Sequence, residues 1–284
     1  MTTPTAQTGT IQVADGIFAF VPPADGSLGG TNGGFIVGDE GVVVIEGLMT
    51  KKTAQHVLSE VKRVTSKPIR FLIYTHFHGD HTYAGGVFLP AAVVGHKECR
   101  EELFEKWDPW VERFATSRPE SAAEFRALKP VPPDIIFNEK LTIHLGNKRL
   151  ELHYFGRAHT RGDVFIHSAQ DRVVFSGDAV VNARVPAFMD GYPASWINVL
   201  DQAQTLDFAT LVPGHGPVGN KQTAADLQTF IRELQSQVRQ AYDAKKSEAD
   251  AAAGVKLPRY ASWPGIQNLA MPVQRMYLEW KAQL

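Results

Sequence analysis

The chain has 284 residues, 44% of them hydrophobic and 21% charged, an ordinary globular composition with enough apolar content for a buried core. A formal net charge of −1 leaves no electrostatic footprint for nucleic acid or an anionic membrane surface. A single cysteine, Cys99, excludes an intrachain disulfide and a thiolate cluster. The length suits one large α/β domain or two small ones.

Residues 1–10 are Thr-rich and uncharged, with neither a basic n-region nor a long apolar run. They read as a flexible leader rather than a signal peptide, and no apolar run approaches a membrane span, so the expectation is a cytoplasmic protein. Residues 11–21 alternate weakly and predict a first strand. The Gly-rich stretch 26–34 lacks phosphate-loop spacing and reads as a turn that brings backbone close to a site. Residues 35–37 and 42–46 form a hairpin signal, and residues 50–64 a helix with Thr50 as N-cap. Strands follow at 69–74 and 91–94. A helical segment at 97–114 is expected to break at Asp108-Pro109, with Leu103, Phe104, Trp107, Val111 and Phe114 as a core-packing stripe. Residues 141–145 and 149–155 read as a hairpin around Gly146-Asn147. His144, His153 and His167 fall on strands, without motif partners, as satisfied strand residues. Residues 223–242 are the clearest helix, followed by a Pro-punctuated tail with a last short helix near 273–280. Strand runs separated by helical runs suggest an α/β sandwich.

Within this order one stretch carries chemistry: Tyr74-Thr75-His76-Phe77-His78-Gly79-Asp80-His81, three imidazoles and a carboxylate directly after a short apolar strand. His76 and His78, spaced i, i+2, project to one side if the strand persists. Imidazoles with a near carboxylate suit zinc or a similar divalent ion better than a core.

The pattern His-x-His-x-Asp-His resembles the signature of the metallo-β-lactamase superfamily. Three further strand-like runs followed by Gly supply candidates in that family's order: His159 in Gly156-Arg157-Ala158-His159, Asp178 in Phe175-Ser176-Gly177-Asp178, and His215 in Pro213-Gly214-His215. The resemblance implies a four-layer αβ/βα sandwich of two mixed sheets with helices outside, spanning residues 11–250 with a helical insertion at 97–128. A C-terminal tail, 251–284, would pack on it. It also implies two zinc ions (iron or manganese in their place), with His76, His78 and His159 on one, Asp80, His81 and His215 on the other, and Asp178 bridging. Glu46 stands at a strand end where the family usually carries Asp, a conservative change.

The implied reaction is hydrolysis of a small ester, lactone, thioester or amide by a hydroxide held between the ions, with Asp80 orienting it and passing on its proton. Asp at 178 resembles the glyoxalase II and lactonase branches, and the wording around residues 83–87, 156–163 and 211–216 resembles cyclase-like hydrolases. The alternatives are a mononuclear iron persulfide dioxygenase and a β-lactam-hydrolysing enzyme. Thr160 and Asp163 are candidates to support the imidazoles or to shape their own turn. Arg184, Tyr83, Tyr192 and Trp196 are candidate substrate contacts. The expected partner is a small molecule rather than nucleic acid or membrane, and the chain is expected to be a monomer or homodimer.

Overall fold

The computed structural model describes residues 8–281 apart from Ala24 and Gly26. In chain order its strands are β1 (Gly9–Ala14), β2 (Ile17–Val21), β3 (Gly33–Gly38), β4 (Gly41–Ile45), β5 (Ile69–Ile73), β6 (Ala92–His96), β7 (Ile135–Phe137), β8 (Lys140–His144), β9 (Arg149–Tyr154), β10 (Val164–Ser168), β11 (Val173–Gly177) and β12 (Thr210–Pro213). Its helices are α1 (Lys51–Val64), α2 (Gly79–Thr82), α3 (Lys97–Ser117), α4 (Ala122–Arg126), α5 (Pro193–Ala203), α6 (Lys221–Asp243), α7 (Glu248–Gly254) and α8 (Ala270–Trp280).

β1 to β7 make one mixed sheet in sequential order, antiparallel through β4 and parallel from β4 to β7. The second sheet runs β12-β11-β10-β9-β8, with only β11 and β12 parallel. Alternation along the strands divides the apolar residues between layers. Ile36, Val43, Ile45 and Ile73 of the first sheet meet Leu150, Leu152, Ile166 and Phe175 of the second in the inter-sheet core. Phe35, Val42, Val44 and Leu72 face the other way, onto Ala54, Val57 and Val61 of α1 and Leu103 of α3. Outside the second sheet, Phe165 and Val174 pack on α5, α6 and α8 through Trp196, Leu200, Leu227, Ile231 and Met276. The result is two mixed sheets between helical layers, the four-layer α/β architecture.

Several local expectations differ from what forms. Residues 11–21 are two antiparallel strands rather than one, because Asp15-Gly16 turns the chain with Gly16 at φ +64; a Cβ there would meet the Val37 carbonyl at 2.7 Å. Gly9 and Thr10, expected in a flexible leader, pair with Val21 and Phe20, and residues 1–7 lie outside the described residues. α3 continues through Pro109 instead of breaking there. The carbonyl that loses its partner belongs to Glu105, on an exposed turn where water can satisfy it. Of the expected stripe, Leu103 and Val111 are buried but Phe104 is 55% exposed, with Arg100 over its ring. The tail expected from residue 251 starts inside α7, and Val273, Met276 and Tyr277 of α8 join the helical core.

Candidate metal centre

β5 ends at Ile73, so His76 and His78 lie in the loop beyond the strand, and the loop rather than the pleat brings them together. His76 is the hub: its ring centroid lies 4.1 Å from that of His81, 4.8 Å from His78 and 4.9 Å from His159. One ligand atom from each of His76, His78 and His159, and likewise from each of Asp80, His81 and His215, lies within 4.8 Å of its companions. Asp178 touches both sets, its Oδ2 3.4 Å from His159 Nε2 and 3.3 Å from His215 Nε2, and its Oδ1 3.3 Å from His81 Nε2. Asp80 Oδ2 lies 3.3 Å from His215 Nε2 and 3.6 Å from His81 Nε2. All seven predicted ligands therefore converge, from the ends of β5, β9, β11 and β12. Close approach of the β11 and β12 loops requires Gly214, since a Cβ there would stand 2.0 Å from Asp178 Oδ1.

The outward nitrogen of every imidazole is engaged. His159 Nδ1 reaches the Ala187 carbonyl at 3.0 Å and His215 Nδ1 the Gly30 carbonyl at 2.7 Å. A carbonyl only accepts, so both Nδ1 atoms carry a proton; His159 Nε2 then presents a lone pair inward, while His215 Nε2 faces the Asp80 and Asp178 carboxylates at 3.3 Å. His81 Nδ1 donates to Glu46 Oε1 at 3.0 Å, and His78 Nε2 to Asp190 Oδ2 at 2.9 Å. Thr75 Oγ1 donates to Glu46 Oε1 at 2.5 Å and so receives the proton of His76 Nδ1 at 3.0 Å. Several inward atoms lack such partners. His76 Nε2, His81 Nε2 and Asp178 Oδ1 are buried without a hydrogen bond among the described residues, and His78 Nδ1 faces His159 Nε2 at 2.8 Å, lone pair against lone pair. Such an arrangement is unfavourable unless positive charge sits among these atoms. The residues fit bound divalent cations, with carbonyl or carboxylate support behind each imidazole.

The electrostatics agree. Burial works to raise Asp80, but His81 and His215 outweigh it and hold its carboxyl well below the ordinary range. Burial likewise opposes ionisation of Asp178, and His215, His81 and His159 reverse the balance. Burial lowers His215, yet Asp178 and Asp80 push it up to about 9. A cation at this place supplies the same countercharge and displaces protons.

The Gly-rich stretch does approach the site. Besides the Gly30 carbonyl, Thr31 Oγ1 donates to Asp80 Oδ2 at 2.7 Å, and Asn32 Nδ2 ties the Pro213 and Gly216 carbonyls on either side of His215. Thr160 and Asp163 shape their own turn: Asp163 accepts from the Ala158 and Thr160 amides and from Thr160 Oγ1, fixing the loop that carries His159. Burial, opposed by these bonds, pushes the Asp163 carboxyl up to about 6.

The candidate substrate contacts fare less evenly. Trp196 is 0% exposed and donates Nε1 to the Ala179 carbonyl, so it backs the His159 ring from the core at 5.6 Å and cannot meet a ligand arriving from solvent. Tyr192 is held between the Arg157 and Arg275 guanidinium groups, 5.3 and 5.7 Å from its ring centre. Tyr83 packs edge-on against Trp107 and Phe114, with its hydroxyl buried and unpartnered among the described residues. Arg184 is exposed and makes no ion pair or hydrogen bond among the described residues. Sequence reasoning missed Asp190, which links His78 to Lys106 of α3 at 2.7 Å, and Trp110, whose ring lies 4.8 Å from that of His78. Trp110 stands at helical spacing from Trp107 and Phe114, which was the available signal.

The fold and this convergence of imidazoles and carboxylates define an α/β metalloprotein scaffold. A sequence profile of the metallo-β-lactamase superfamily matches residues 26–215, more than half of the chain, and the chain belongs to that superfamily. It is 26% identical over 187 residues to the 2,4-dinitroanisole O-demethylase subunit alpha of Nocardioides sp. (strain JS1661), covering 63% of this chain and 51% of that protein. It is 27% identical over 174 residues to the human acyl-coenzyme A thioesterase MBLAC2, covering 56% and 60%. The stereoselective inverting sec-alkylsulfatase Pisa1 from Pseudomonas sp. superposes with a TM-score of 0.78 at 17% identity, over 96% of this chain and 50% of that one. The chain thus spans only about half to three-fifths of the length of these proteins. No helix among the described residues is long and apolar enough to cross a membrane.

Proposed function

We propose that this chain is a dinuclear zinc hydrolase acting on a small ester, thioester, lactone or amide. The observation that carries the reading is the inward convergence of five imidazole nitrogens and two carboxylates, with every outward nitrogen engaged, with His76 Nε2, His81 Nε2 and Asp178 Oδ1 unpartnered among the described residues, and with His78 Nδ1 against His159 Nε2. His76, His78 and His159 would hold one ion, Asp80, His81 and His215 the other, and Asp178 both. When bound, such a pair supplies Lewis acidity for a carbonyl oxygen and lowers the pKa of water toward about 7.

The chain's own groups do the rest. Thr31 fixes Asp80 Oδ2 from outside, which leaves that carboxylate aimed at the centre to carry a proton to the departing oxygen, sulfur or nitrogen. Trp110, beside His78 and partly buried, gives an acyl group an apolar surface next to the reacting atoms. Among the proposed substrates a thioester has additional support from the acyl-coenzyme A thioesterase relative.

The test is elemental analysis of protein purified without chelators, with a panel of activated esters, thioesters, lactones, an alkyl sulfate, 2,4-dinitroanisole and one cephalosporin. At least two zinc ions per chain and the highest kcat/KM on an acyl substrate are expected. Full activity with one ion per chain would overturn the dinuclear assignment, and a cephalosporin at the head of the panel would overturn the substrate class.

A further inference from the structure

A second group of metal-binding side chains lies away from the centre just described. Glu151 and His153 sit on β9 and His167 on the neighbouring β10, where Glu151 and His167 are register partners. Leu150, Leu152 and Ile166 point into the inter-sheet core, so by strand alternation these three point to the opposite, outer face of the second sheet. None of them belongs to the site above, which gathers at the strand ends. One donor atom from each lies within 4.8 Å of the other two.

The pairing on this face is incomplete. His167 is 4% exposed; its Nε2 donates to the Asp207 carbonyl at 2.9 Å, which leaves Nδ1 with the lone pair, and that Nδ1 is buried with no partner among the described residues. A backbone carbonyl fixing the far nitrogen while the near one stays bare is how a protein orients a metal-binding imidazole. His153 Nε2 stands 3.2 Å from Glu151 Oε2, and its ring lies flat on Phe155 with centroids 5.4 Å apart. Glu151 is further paired with Arg149 and, at 2.9 Å, with Lys140 Nζ. Both basic side chains are about half exposed, at 55% and 48%, so either can swing into solvent if another cation takes the carboxylate.

We propose that Glu151, His153 and His167 form a separate binding site for a zinc-class divalent cation on the outer face of the second sheet. Two imidazoles and one carboxylate match the preferences of zinc, with solvent completing the coordination. Bonds of about 2.0–2.2 Å require donors spaced roughly 3.2–3.6 Å apart, so small side-chain rotations bring the set from its present spacing to that geometry. The ion would cross-link β9 to β10 and, through Asp207, tie down the segment that leads into β12.

Equilibrium dialysis of the full, chelator-stripped chain against zinc, followed by elemental analysis, decides the matter. Wild type is expected to hold one ion per chain more than His153→Ala and one more than His167→Ala. Equal zinc content in wild type and His153→Ala, with unchanged far-ultraviolet circular dichroism, overturns the proposal. Should His167→Ala fail to fold, His153→Ala still decides, because that ring is partly exposed. The comparison is a difference between chains with the same main centre. It therefore succeeds or fails whether that centre holds two ions, one or none.

Discussion

Asp190 accepts the Nε2 proton of His78 at 2.9 Å, while its other oxygen receives Lys106 Nζ at 2.7 Å. This ties a predicted metal ligand to the helical insertion, because Lys106 lies on α3 and also pairs with Glu102 at 2.8 Å. Burial works against the Asp190 charge, but His78 and Lys106 prevail and hold its carboxyl well below the ordinary range. The insertion is therefore an outer support of the site as well as a wall beside it.

Asp190→Ala should weaken zinc binding by about 10–100-fold, the usual effect of removing a carboxylate behind a ligating imidazole. Asp190→Asn keeps an oxygen for His78 but turns its amide toward Lys106, so its loss should be smaller. Competition with a chromophoric chelator measures both. Equal affinity in wild type and Asp190→Ala would show that His78 needs no orientation from the insertion.

Asp178→Ala and Asp80→Asn should separate metal retention from proton transfer. Asp178 reaches His159, His81 and His215 together, so its removal takes negative charge from the middle of the cluster. Asn at 80 still offers an oxygen beside His215 and His81 but carries a proton poorly. We expect metal-poor protein from the first, and metal-retaining protein with kcat reduced about 10²–10⁴-fold from the second. If Asp178→Ala kept its full metal content, Asp178 would not bridge.

Arg184 has neither an ion pair nor a hydrogen bond among the described residues, which leaves its charge available to a ligand, and Asn182, two residues earlier, bonds the His215 carbonyl through its backbone. Arg184→Ala should raise KM for carboxylate-bearing substrates and spare neutral esters, because only the former lose a charge-assisted contact. Equal changes for both classes would place Arg184 outside the site.

How much of this was legible follows from where each signal is stored. The residues proposed as ligands are legible because a short apolar run, a glycine and an imidazole or carboxylate stand close together in sequence. The supports were not, because they are distant or belong to the backbone. Asp190 is 112 residues from His78, and the partners of His159 and His215 are carbonyls that any residue supplies. Pro109 was read by its local rule, and the exposed Glu105 turn overrode that rule. Trp196 looked like a pocket wall because its loop follows Asp178; only packing shows that it is core. His167 reads in sequence as a satisfied strand residue, whereas its buried Nδ1 has no partner among the described residues, and the register that brings Glu151 beside it is not written in either strand alone.

Glu46 offers the sharpest test of how support behind the ligands sets affinity. It sits at φ +73, a left-handed conformation that costs a non-glycine residue of order 1 kcal/mol or more and persists only where the surroundings impose it. From there one carboxylate oxygen takes both Thr75 Oγ1 and His81 Nδ1, and the other takes the Thr75 amide at 3.3 Å. Through Thr75 the same group orients His76, so one side chain that is 2% exposed holds an imidazole from each half of the proposed centre. Glu46→Ala leaves three buried donors without an acceptor, each worth about 1–3 kcal/mol, and should cost roughly 3 kcal/mol or more of stability in chemical denaturation. Glu46→Gln keeps the shape and the shared acceptor but sets an amide against the Thr75 N–H. It should fold nearly as well while binding zinc about 10-fold more weakly. The two substitutions thus separate along different axes, stability for Ala and affinity for Gln. A Glu46→Ala protein with wild-type stability and zinc affinity would mean that His76 and His81 are positioned by their own loop, without help from β4.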